Sequence, residues 1–102
     1  MKRLTPGSYS HGTRRLQDLI PKFVELIREC RGAAPLELLP PRPALKDENH
    51  PWWRSADVHA LMTGLLDYID YNLAPEGYYF GTHPDDGSDF GVWEIKEWAY
   101  VP

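Results

Sequence analysis

Gly77-Tyr78-Tyr79-Phe80-Gly81-Thr82-His83-Pro84-Asp85-Asp86-Gly87-Ser88-Asp89-Phe90-Gly91-Val92-Trp93-Glu94-Ile95-Lys96-Glu97 is the stretch that decides the fold. Tyr78–Thr82 and Phe90–Lys96 are rich in the aromatic and β-branched residues that suit a pleated, half-buried surface. Between them, residues 83–89 are turn chemistry throughout, with Asp86-Gly87 suited to the bend. The segment predicts a β-hairpin over 77–97 with an acidic tip. A two-stranded hairpin is marginal in water by itself, so the rest of the chain has to supply a cover for one face. A third strand could come from residues 98–102 or 34–39.

Upstream lies the strongest helical pattern in the chain. Val58, Leu61, Met62, Leu65, Leu66, Ile69 and Leu73 recur at three- and four-residue steps, with Asp57, Thr63, Asp67, Asp70 and Asn72 mostly opposite. Ser55 is placed to cap its start, Asp57 suits the positive end of the dipole, and Pro75 ends it by forcing Ala74 out of helical geometry. Residues 33–51 hold five prolines and predict a long irregular connection. Before that, Leu16, Leu19, Ile20, Phe23, Leu26, Ile27 and Cys30 form a second amphipathic stripe. Thr13 is the candidate cap, Pro21 an expected kink near the first turn, and Arg31-Gly32 the stop. Residues 1–12, with Pro6, Gly7, Ser8, Ser10 and Gly12, suggest an arm without regular structure. The fold expectation is therefore α+β: one domain over 1–102, two helices packed on a small antiparallel sheet.

The totals agree with this. A chain of 102 residues, 42% hydrophobic and 25% charged, suits one modest core. One cysteine, Cys30, excludes an intramolecular disulfide framework and a multi-cysteine zinc site, and suggests a reducing, cytoplasmic setting. No leader or membrane-spanning run is expected. The net charge of −4 hides an asymmetry. Residues 1–54 carry ten Lys/Arg against six Asp/Glu, whereas residues 55–102 carry Lys96 against nine acids. Either the halves complement each other or the acidic half faces a basic partner.

The hairpin also resembles a group of sequences. Ala74-Pro75-Glu76-Gly77-Tyr78-Tyr79-Phe80-Gly81-Thr82-His83, followed by Asp86-Gly87-Ser88-Asp89-Phe90-Gly91-Val92-Trp93, is similar to the C-terminal segment of small uncharacterised bacterial and bacteriophage proteins. Ser10-His11-Gly12-Thr13 and Asp18-Leu19-Ile20-Pro21 are similar to their first helix. The resemblance implies a fold and suggests a phage or mobile-element origin. It carries no activity.

Several constellations compete for a function. His83, Asp85, Asp86 and Asp89 could offer oxygens and an imidazole to a cation, yet their spacing matches neither a calcium loop nor a zinc signature. As turn residues they need no metal. Gly81 and Gly91 suggest a bulge or a close helix approach. His11, His50, His59 and His83 have no marked nucleophile beside them, and Cys30 falls on an apolar stripe. Lys2, Arg3, Arg14 and Arg15 near Tyr9 and His11 are too few, in an acidic chain, to argue for nucleic acid. Trp52, Trp53, Trp93 and Trp98, with Tyr71, Tyr78 and Tyr100, exceed what two short helices readily bury, and exposed Trp and Tyr are favoured interface anchors. The reading that follows is a non-enzymatic protein-binding or inhibitory module with no cofactor, meeting a basic partner, or a second copy, through its acidic half. Its partner-binding candidates are His83, Asp85, Asp86, Asp89, Trp52 and Trp53. The alternatives are a small metal-dependent enzyme at His83, Asp85, Asp86 and Asp89, and a structural homo-oligomer.

Overall fold

The computed structural model describes residues 3–95, in the order β1 (Gly7–Ser10), α1 (Leu16–Arg31), α2 (Arg42–Lys46), α3 (Ala56–Leu73), β2 (Tyr78–His83) and β3 (Asp86–Glu94). Single 3-10 turns over Leu36–Leu38 and Pro51–Arg54 flank α2. The three strands form an antiparallel sheet in the order β1-β3-β2, so β3 is central. The architecture is α+β, with the C-terminal hairpin packed on helices.

Period-2 alternation sends Phe80, Phe90 and Val92 into the core. Phe23 of α1 meets Phe80 edge-on at 5.3 Å and Phe90 at 5.5 Å, which seats α1 on the sheet. Val58, Leu61, Leu65, Ile69 and Leu73 bury the predicted face of α3 against Leu19, Ile20, Val24 and Ile27 of α1. The C-terminal carbonyls of α3 are met by cations from the first half. Arg31 donates to Asn72 O at 2.6 Å and Arg3 to Ala74 O at 3.0 Å, which answers both the unpaired carbonyls and the dipole.

Four local expectations change. The segment expected as an irregular arm contains β1, which pairs with β3 through Gly7–Val92, Ser8–Gly91 and Ser10–Phe90. Gly-Ser-Tyr-Ser has little intrinsic strand preference, and the free edge of β3 recruits it. This is the third strand; residues 34–39 hold a 3-10 turn instead, and 98–102, with Trp98 and Tyr100, lie outside the described residues, as does the 96–97 end of the predicted hairpin. The proline-rich connection contains a short helix, α2, because Pro43 sits at its first turn, where no backbone donor is needed. The bend lies at Pro84-Asp85, with His83 paired to Asp86, so Asp86-Gly87 already belongs to β3. At the helix starts, Thr13 Oγ accepts from Arg15 N–H and donates to Asp18, one turn outside α1. Ser55 does precede α3, but its hydroxyl turns back to Trp52 O at 2.6 Å.

Pro21 lies within α1, which continues unbroken to Arg31. Only one backbone bond is forfeited so close to the helix start. Gly32 ends α1 as expected, in the left-handed conformation with its N–H on Arg28 O.

Candidate partner-binding surface

The hairpin tip spends its polar groups on its own turn. Asp86 accepts from both the backbone N–H and the hydroxyl of Ser88, at 2.9 and 2.8 Å. These two bonds, helped by nearby Arg14, hold its carboxyl below the usual aspartate range. His83 Nδ1 accepts from Asp85 N–H at 3.0 Å, and its ring stands edge-on to Trp93 at 4.7 Å. Asp89 accepts from Ser8 Oγ, tying the tip to β1. Arg14 lies over Gly87, so close that a methyl group there would come within 2.6 Å of its guanidinium. The basic half thus covers the acidic tip locally. Among the described residues no three His, Cys, Asp or Glu side chains group as they would to hold a metal ion.

Gly81 and Gly91 pair directly across β2 and β3. The close approach at Gly91 is made by the Gly7 carbonyl and the Trp93 ring, not by a helix; an added Cβ would sit 2.3 and 2.8 Å from them. Trp93 folds over the glycines and donates from Nε1 to Gly81 O at 3.0 Å. Its ring is therefore part of the sheet's own construction.

The two neighbouring tryptophans part company. Trp53 is buried, and its Nε1–H is shared by Ala44 O at 2.9 Å and Asp47 O at 3.2 Å. It anchors α2 and presents nothing to a partner, a correction to its place among the binding candidates. Trp52 stacks edge-on against it at 4.9 Å and remains half-exposed, positioned by the His50 side chain, whose Nδ1 accepts from Trp52 N–H. Trp52 walls a groove of about 340 Å³. Leu38, Leu39 and Pro41 of the proline-rich connection line it too, with Ala60 and Leu61 of α3. Glu37 and Asp57 line it as well, and no basic side chain does.

The groove exists because α3 carries small residues where the proline-rich connection crosses it. Ala60 and Gly64 stand one turn apart, and a Cβ at Gly64 would meet Leu38 at 2.9 Å. Leu39, which lines the groove, is exposed, and so is its near neighbour in sequence Leu36, at 83%. Neither Glu37 nor Asp57 forms a hydrogen bond or ion pair among the described residues. This site was not foreseen as such. Trp52 and the Ala60–Gly64 spacing are its sequence signals, and only the path of residues 36–41 gives that spacing meaning.

Compared with models of known protein families, with curated proteins and with solved structures, the chain finds no match in any of the three. No helix among the described residues is long and apolar enough to cross a membrane.

Proposed function

We propose that the protein is a small non-enzymatic binding module that captures another protein. The observation that carries this reading is the groove at Trp52: a half-buried indole, the exposed Leu39 and two uncommitted carboxylates. Interfaces are anchored by such buried-on-contact aromatics, ringed by polar groups. Against the metal-dependent alternative, His83 Nδ1 and one oxygen each of Asp86 and Asp89 already serve local hydrogen bonds at the tip. An origin in a phage or mobile element rests on the hairpin resemblance, which carries no activity, and an inhibitory role belongs to the same proposal without it.

The test is capture from the native host with three baits: the wild type, A60R, and D85K/D86K/D89K. Ala60 is exposed and lines the groove, so an Arg there obstructs it from the surface. A partner held by the wild type and the tip variant but lost by A60R supports the reading. Equal capture by all three removes it, and loss with the tip variant alone transfers it to the hairpin.

A further inference from the structure

We infer that the groove and the face of α3 that leads away from it form one track for a basic, amphipathic segment of a partner protein. The inference rests on the groove being the binding surface, and it adds the chemistry of the occupant.

The track follows from helix geometry. Asp57, Ala60, Gly64, Asp67 and Tyr71 are spaced three and four residues apart along α3, so they lie on one stripe. The stripe starts at the groove, where Asp57 and Ala60 contribute to the lining. It ends at Tyr71, which is 85% exposed. At 1.5 Å per residue, Asp57 and Asp67 stand roughly 15 Å apart, and Tyr71 lies about 6 Å beyond. Leu38 packs over Gly64 in the middle of the stripe, so an occupant passing from Trp52 to Asp67 crosses an apolar side chain there.

Charge complementarity selects the occupant. Glu37, Asp57 and Asp67 are exposed along this track, none is joined to a cation among the described residues, and no base lines the groove. The ion pairs between described residues all lie within the first 54 residues: Arg15 with Asp18 and Glu48, and Glu25 with Arg28. Asp57 and Asp67 of α3 therefore remain available to an outside cation. An apolar side chain would fill the space beside Trp52, a Lys or Arg next to it would meet Glu37 and Asp57, and a second cation roughly ten helical residues on would meet Asp67. A Tyr71 ring at the far end offers a face to that cation's stem.

The experiment uses the full chain labelled for NMR and three peptides of about 15 residues, long enough to span the stripe as a helix. The first has Leu and Trp on one face and Lys and Arg on the other; the second and third replace the cations by Gln and by Glu. The basic peptide is expected to shift the Trp52 indole and Ala60 signals. It should bind about tenfold more weakly to E37K/D57K/D67K, since three partly exposed ion pairs together supply roughly that factor. Binding should weaken with added salt and be lost in A60R. Equal groove occupancy by the Gln and Glu peptides would overturn the basic occupant while leaving groove docking intact. No shift at Trp52 with any peptide would overturn both. Shifts at Trp52 that grow with protein concentration alone would replace the partner by a second copy.

Discussion

Phe23 shows how one side chain can hold a small sheet onto its helices. Fully buried, it contacts two rings on two different strands. Phe23→Ala should cost about 3–5 kcal/mol by urea denaturation, because the cavity would open at the junction of both strands. Two glycines of the hairpin make a sharper comparison. Gly91→Ala pushes a methyl onto the Gly7 carbonyl and the Trp93 ring, and backbone in a central strand cannot retreat. A loss of about 1–3 kcal/mol is expected. Gly87→Ala meets only the far end of Arg14, which can swing away, so the same measurement should change by less than about 0.5 kcal/mol. Asp86 adds a pH dependence of known sign. Its carboxyl is depressed by the two Ser88 bonds, so the folded form prefers the carboxylate. The resulting stabilisation is full above the ordinary aspartate range and fades as pH falls through the depressed value. In Ser88→Ala, an NMR titration should show the Asp86 midpoint move up toward the ordinary range. An unmoved midpoint would mean that the backbone N–H of residue 88, which alanine keeps, sets it.

At the scale of elements, the two short pieces are the ones tertiary contacts create. Five residues cannot sustain a helix alone, and α2 persists because the Trp53 indole clasps Ala44 O and Asp47 O. Trp53→Phe keeps most of the apolar volume and removes that clasp. We expect about 1–2 kcal/mol lost and faster amide exchange over residues 44–47. Strand β1 has a comparable origin, borrowed from the edge of β3. The other edge is blunted: Asp70 accepts from Phe80 N–H at 2.9 Å, and the Tyr79 hydroxyl donates to Thr82 O at 2.9 Å. Both are outward backbone groups of β2, so strand-to-strand self-assembly meets occupied partners there. Asp70→Ala frees one of them and should cost about 1 kcal/mol in stability.

For the molecule as a whole, charge is divided between two uses. Arginines of the first half reach the second through Arg14 at the hairpin tip and through Arg3 and Arg31 at the end of α3. That complementarity is real but stops short of the exposed acids on the α3 stripe. Light scattering over a concentration series tests the homo-oligomer alternative directly. With β2 blunted and β1 only four residues long, a single species at the monomer mass is expected, and growth of the mass with concentration would restore that alternative.

Much of this was legible before any coordinates. Hydrophobic periodicity located α1 and α3, Gly32 and Pro75 marked their ends, and aromatic strands around turn residues identified the hairpin, because each signal is local and repeats several times. The sequence by itself also determined the charge asymmetry and the surplus of tryptophan. It could not say which tryptophan was surplus: Trp52 and Trp53 are chemically identical neighbours, and only the position of two carbonyls on α2 buries one and leaves the other at a groove. Nor could it single out Gly-Ser-Tyr-Ser as a strand, since that segment owes its pairing to a free edge eighty or more residues away. The hairpin tip, conspicuous as a line of acids, ties Asp86 to its own turn and Asp89 to β1 and leaves the Asp85 carboxylate exposed. The groove, inconspicuous in sequence, arises from three segments that meet only in the folded chain, and that convergence is a property no local pattern encodes.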